Sequence, residues 1–153
     1  SLESCFTLLQ EKSISPAADR LTLLRWSIFN FLTGNADAHA KNLAIIFTSR
    51  GPRLAPFYDL ICTQVYPDLT EKHAMKVGGE NRPRWIRQKH WEKLGESAGI
   101  KSRLVLKTLK DMAAGIMPAA QTLLNDFNKT YGRCEILEKV VTGIEKKSRM
   151  MAS

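Results

Sequence analysis

Two apolar stretches, Leu21 to Leu32 and Leu43 to Phe47, flank the octapeptide Asn35-Ala36-Asp37-Ala38-His39-Ala40-Lys41-Asn42. That arrangement fixes most of what this chain can build. Leu21, Leu24, Ile28 and Leu32 recur at helical spacing, so Asp19 to Leu32 reads as a helix with one buried face. Ser15-Pro16 supplies an N-cap and a first helical residue, and Gly34 supplies a stop. The octapeptide then falls in a loop just past a buried helix, where a rigid scaffold presents polar groups. Leu43 to Phe47 is a short continuous apolar run and Ser49-Arg50-Gly51-Pro52 carries turn chemistry, so a hairpin returning through Leu54 and Ala55 is expected. A strand of about six residues runs out roughly 20 Å and its partner brings the chain back. Asn42 and Asp59 of Phe57-Tyr58-Asp59-Leu60 thereby arrive side by side.

Asp37, Asn42 and Asp59 are the residue types that handling a phosphoryl group with magnesium requires. An aspartate orients the attacking hydroxyl, while amide and carboxylate oxygens hold a hard cation against nucleotide phosphates. An Asp and an Asn five apart is a weak signal alone. Singly, Asp37 is a plain loop acid, Asn42 a turn residue and Asp59 a strand-end Asx turn. The three in register favour the joint reading.

The segments Asn35 to Asn42, Leu54-Ala55-Pro56-Phe57-Tyr58-Asp59-Leu60 and Met75-Lys76-Val77-Gly78-Gly79-Glu80-Asn81 closely resemble the C-terminal domain of HipA-like serine/threonine kinases. Those proteins are the toxin components of HipA–HipB toxin–antitoxin modules, and the resemblance runs over about residues 15 to 130. It implies the C-lobe of a protein-kinase-like fold, mainly α with small β-hairpins (α+β). Asp37 is thereby expected as catalytic base, Asn42 as a magnesium ligand, and Asp59 in place of the aspartate of the kinase DFG motif. His39 and Lys41 lie inside the loop and are candidates for contacting phosphate or substrate. For His39 a backbone carbonyl partner is an equally good account, and for Lys41 a solvated charge. ATP and magnesium follow as substrate and cofactor, with a protein Ser/Thr hydroxyl as acceptor. A HipB-like antitoxin, and through it DNA, follow as partners. Neither a glycine-rich phosphate-covering loop nor an ATP-contacting lysine precedes the Ser15-Pro16 helix start. Residues 1–153 are therefore expected to form a single domain, the C-lobe of a split or truncated kinase lacking its N-lobe, with very weak or absent ATP binding alone.

Two other classes compete. Small-molecule phosphotransferases of the aminoglycoside-kinase type share the Asp, the Asn five residues on and the later metal-binding Asp. Their loop usually carries a glycine just before the Asp and a histidine before that, whereas Asn35-Ala36 stands here. A net charge of +8 and a pI near 9.6 also admit a basic nucleic-acid-associated module without catalysis. The cations are scattered from Arg20 to Arg149, however, with Arg82, Arg84, Arg87 and Lys89 as the one dense cluster.

With 44% hydrophobic and 25% charged residues, the chain has the balance of a soluble folded domain. No apolar run is long enough to span a bilayer. Cys5, Cys62 and Cys134 lack paired spacing, which suits reduced thiols in a cytoplasmic protein. His39, His73 and His90 are isolated, so a structural zinc site is not expected. Ala74 to Val77 reads as a short strand ending at Gly78-Gly79. Pro83 to Ala98 reads as a helix bearing Ile86, Trp91 and Leu94. Leu104 to Met117 carries Val105, Leu109, Met112 and Ile116 on one stripe, with Pro118 as its limit. Pro118 then starts a helix that buries Leu123, Leu124 and Phe127 and ends near Gly132. A last helix places Ile136, Leu137, Val140, Val141 and Ile144 on one face and ends in Lys146-Lys147-Ser148-Arg149. Trp26, Trp85 and Trp91 read as packing residues rather than stacking platforms.

Overall fold

Helix α2 (Pro16–Thr33) is the axis on which the other elements assemble, because Leu23, Leu24, Ile28, Phe31 and Leu32 are all fully buried along it. The computed structural model describes residues 1–152. Ahead of α2 stands α1 (Leu2–Lys12), which the sequence reading did not anticipate. Its Leu2, Phe6 and Leu9 bury one helical stripe, Ser1 Oγ accepts from the Ser4 N–H, and Glu3 and Lys12 complement the helix dipole. Beyond the loop Asn35 to Asn42 come strands β1 (Ile45–Thr48) and β2 (Gly51–Leu54), then α3 (Gln88–Ser97), α4 (Ser102–Tyr131) and α5 (Glu135–Ala152). The result is mainly helical with one small antiparallel sheet, an α+β arrangement.

The start and stop of α2 are those expected, with Pro16 at the first turn and Gly34 at φ 79°, a left-handed conformation that only glycine adopts without cost. The hairpin also forms, though its strands are four residues long and Gly51 and Pro52 belong to β2 rather than to the turn. Ala55 N–H to Ala44 O at 2.9 Å extends the ladder one step inward. The expected strand over Ala74 to Val77 is instead a single bridge, Val77 with Glu80, across a turn of Gly78 and Gly79 at φ 56° and 94°. A Cβ on Gly78 would sit 2.1 Å from the His90 carbonyl oxygen, so α3 packs directly on this turn. The helix expected from Pro83 starts only at Gln88, after a short 3-10 turn over Pro83–Trp85; it buries Trp91 and Leu94 as expected, while Ile86 is buried ahead of it, outside the helix. Phe31 meets Trp91 edge-on, 5.6 Å between centroids.

Two expectations fail on α4. Pro118 does not end the helix, which runs for 30 residues. Ala114 and Pro118 both lie on the solvent side, where water can take the carbonyl that the missing N–H leaves unbonded. The second half of this helix is also not buried, since Leu123 and Phe127 are exposed and only Leu124 is half-covered. On α5, Ile144 is buried but Ile136 is exposed. The basic run Lys146 to Arg149 lies inside the helix, whose Ser148 and Met151 pack inward. Trp26 and Trp91 are core residues, whereas Trp85 is exposed beneath the Arg82 guanidinium at 4.4 Å.

One buried charge ties the hairpin to the helical body. Asp19 of α2 accepts a bidentate pair from Arg53 of β2, with Nη2 at 2.7 Å, along with the Leu54 N–H at 2.9 Å and Ser13 Oγ at 2.6 Å. These bonds, Arg53 foremost, hold the Asp19 carboxyl down to about 2. Because that value lies below the ordinary one, its contribution to stability is present above about pH 4–5 and is lost as pH falls toward about 2. Asp19→Ala strands the guanidinium and the Leu54 N–H, and is expected to cost about 3 kcal/mol in urea denaturation at pH 7. A loss under about 1 kcal/mol would show that the tether is superficial.

Candidate active site

The left-handed turn at Gly34 ends α2 and throws Asn35 back against it. Asn35 N–H reaches Asn30 O at 2.9 Å, and its side chain is 1% exposed. Within that buried position the amide makes three bonds. Nδ2 donates to Asn30 Oδ1 at 2.8 Å and to the Asp59 main-chain oxygen at 3.1 Å, and Oδ1 accepts from the Asp37 N–H at 3.1 Å. The segments carrying Asp37 and Asp59 are therefore pinned to the same side chain. Ala36 N–H donates to Thr63 Oγ1 at 2.8 Å, and Thr63 Oγ1 donates to Gly34 O at 3.2 Å, which closes the loop from behind.

The far end of the loop is zipped to the strand return. Tyr58 OH donates to the Lys41 carbonyl at 2.7 Å, and Asn42 Nδ2 donates to Asp59 Oδ2 at 2.5 Å. Asn42 and Asp59 are thus adjacent, as the hairpin reading required. Asn42 is 4% exposed, and its Oδ1 has no hydrogen-bond partner. An orphaned buried carbonyl is costly unless something else binds it, and this one lies next to a carboxylate. Both groups offer hard oxygens, so the pair fits magnesium. Among the described residues no cluster of three His, Cys, Asp or Glu forms a self-sufficient metal cage. Two protein ligands completed by phosphate oxygens and water are the usual magnesium arrangement.

Asp37 points outward, its side chain 62% exposed, and His39 Nε2 stands 3.9 Å from its Oδ1. The Asp37 carboxylate is consequently open to an incoming group. Lys41 is also exposed, and its fixed contribution is the main-chain carbonyl that Tyr58 binds. The structure thus ties the backbones of Asp37 and Asp59 to Asn35 and pairs Asn42 with the Asp59 carboxylate, with His39 beside Asp37 and Lys41 held through its backbone.

Asn30 and Thr63 of this framework were not singled out in the sequence, while Asn35 entered only as part of the octapeptide and His73 only as an isolated histidine. His73 is buried and its Nδ1 lies 3.2 Å from Asn35 O, so the neutral ring carries its proton on Nδ1. Burial, reinforced by the Lys147 charge and opposed by that hydrogen bond, brings the His73 pKa down to about 4. Asp59 has φ 58°, the one non-glycine residue in left-handed conformation among those described. The conformation aims its carboxylate at Asn42 while its carbonyl faces Asn35.

The basic cluster is half neutralised. Arg82 pairs with Glu80 at 2.7 Å and Arg84 with Glu71 at 3.3 Å, while Arg87 donates to the Arg84 and Ile86 carbonyls.

The sequence model of the HipA-like C-terminal domain matches residues 1–120. The chain belongs to the HipA-like C-terminal domain family. The Y4mE protein of Sinorhizobium fredii, named as a candidate kinase, is 37% identical over 131 residues, covering 86% of this chain and 31% of its own. The serine/threonine-protein kinase toxin HipA of Shewanella oneidensis is 33% identical over 111 residues, covering 72% and 26%. HipA in the Shewanella oneidensis HipA–HipB–operator DNA complex superposes with a TM-score of 0.85 at 27% identity, over 97% of this chain and 35% of that one. The chain therefore spans about a quarter to a third of the HipA-like relatives it matches. No helix among the described residues is long and apolar enough to cross a membrane, and all three cysteines are free.

The left-handed backbone at Asp59 predicts a separation of stability from function. Asp59→Gly removes the strain, so the fold should hold or gain about 0.5–1 kcal/mol in thermal or urea unfolding, although the carboxylate is gone. Destabilisation by more than about 1 kcal/mol would mean that the Asn42 contact outweighs the strain.

Proposed function

We propose that this chain carries the catalytic loop and metal-holding residues of a HipA-type serine/threonine protein kinase, which moves the γ-phosphoryl of ATP to a protein hydroxyl. The observation that carries the reading is the unpartnered, buried Asn42 Oδ1 beside the Asp59 carboxylate, with the exposed Asp37 held through its backbone N–H by Asn35, which also holds the Asp59 carbonyl. Asn42 and Asp59 would hold magnesium, which when bound neutralises charge on the nucleotide phosphates. Asp37 accepts a hydrogen bond from the acceptor hydroxyl and orients its oxygen toward the γ-phosphorus. The new O–P bond forms as the bond to the ADP oxygen breaks, and the hydroxyl proton passes to Asp37. Positioning supplies most of the acceleration, because the transition state needs little covalent help. The Asn35 bonds serve this by fixing both ends of the site relative to one another.

A protein acceptor is favoured by kinship with a serine/threonine-protein kinase toxin and by the Asn35-Ala36 approach to Asp37, where small-molecule phosphotransferases usually carry other residues. The superposable HipA was solved with HipB and operator DNA, which supports a HipB-like antitoxin, and DNA through it, as partners of the intact protein. The pairing of Arg82 and Arg84 with glutamates speaks for that indirect route over direct DNA binding by this lobe.

In the intact protein, Asp37→Asn is expected to lower phosphoryl transfer roughly 10²–10⁴-fold while nucleotide affinity stays within about twofold. Retained turnover would remove Asp37 from the base role.

A further inference from the structure

A cavity of about 740 Å³ adjoins the catalytic loop on the side of α5, and none of Asp37, Asn42 or Asp59 lines it. Cys62, Gln64 and Val65 form one wall. Thr63, between them, is the residue that binds Ala36 N–H and Gly34 O. The cavity and the catalytic loop therefore share a single strip of backbone.

Its charge is unbalanced. Five cationic side chains face three carboxylates around the rim. Arg84 is paired with Glu71 at 3.3 Å, and Arg133 with Glu138 at 2.8 Å. That leaves Lys139, Lys146 and Lys147 against Glu135, an excess of two positive charges. Lys147 is half-buried and makes no ion pair within the described residues, and burial brings its pKa down to about 8 despite the opposing influence of Cys62 and Glu71. Gln64 Nε2 is a buried donor without a partner on the same wall. A Cβ on Gly34 would meet both Gln64 Oε1 at 2.8 Å and Lys147 Nζ at 2.9 Å, so the two side chains converge on one spot. An unsatisfied amide donor and an ammonium outside any ion pair, in a lining with excess positive charge, call for an anion with strong acceptors. Two excess charges call for a dianion. Val65 and Pro83 add apolar wall for a carbon skeleton, and the volume lies in the range typical of small-molecule sites.

We propose that this cavity binds a small phosphate monoester as its dianion, with the Lys147 ammonium and Gln64 amide as principal donors and Lys139 and Lys146 adding charge. The site stands independently of the phosphoryl-transfer reading, since it uses none of the same residues. Occupancy would reach the catalytic loop by two routes: through Thr63, and through His73, which bonds Asn35 O and feels the Lys147 charge.

The test is calorimetric titration of the intact protein with phenyl phosphate and, separately, inorganic phosphate, without nucleotide or metal. Saturable phenyl phosphate binding is expected, weakened at least about tenfold by Lys147→Met and by Gln64→Leu. Inorganic phosphate binding with equal affinity would overturn the monoester assignment. Lys41→Met and Lys89→Met should leave the affinity within about twofold, which separates the cavity from the catalytic loop and from general surface charge. No saturable binding at millimolar phenyl phosphate, or binding indifferent to both cavity substitutions in proteins of unchanged circular dichroism, would overturn the proposal.

Discussion

A single buried amide organises the site. Asn35 sits where water cannot compete, so each of its hydrogen bonds is enforced by the penalty for leaving a polar atom unmet. Its nitrogen holds the Asp59 carbonyl and Asn30, and its oxygen holds the Asp37 N–H. Asn30 is in turn fixed by donating to Trp26 O within α2. Helix end, loop and strand return are thereby locked to one point, and the rigidity of α2 passes to Asp37 and Asp59 directly and to Asn42 through Asp59.

The arrangement stores cost where chemistry is expected and stability elsewhere. Asp59 has a backbone conformation that side chains disfavour, and Asn42 buries an oxygen without a partner. Both liabilities vanish from view if the pair is meant for a cation. Compensation comes from the Asp19–Arg53 tether and from the apolar stripe of α2 against Trp91. The hairpin contributes little burial of its own, with Phe47 85% exposed, and it depends on that tether to keep its return path in register.

What the sequence made legible was periodic or local. The α2 stripe, its proline start and glycine stop, and the hairpin follow from spacing and turn chemistry alone, and they sufficed to bring Asn42 to Asp59. Helix α1 carries a period in Leu2, Phe6 and Leu9 as readable as that of α2. The linking roles of Asn35 and Thr63 were not legible, because the bonds to Asp59 and Ala36 span 24 and 27 positions and no local pattern announces them. Pro118 misled because a proline normally breaks a helix, and nothing local tells that its face of α4 is open to water. The burial expected for Leu123 and Phe127 failed because periodicity shows a face without showing what covers it.

The account rests on Asn42 and Asp59 acting as co-ligands of one cation. A crystal structure of the intact protein with a non-hydrolysable ATP analogue and manganese, read by anomalous scattering, tests that directly. The predicted result is an anomalous peak at about 2.1 Å from Asn42 Oδ1 and from an Asp59 carboxylate oxygen, with phosphate oxygens completing the shell. A manganese peak bound only to phosphate and water, with the Asn42 amide still donating to Asp59, would contradict it.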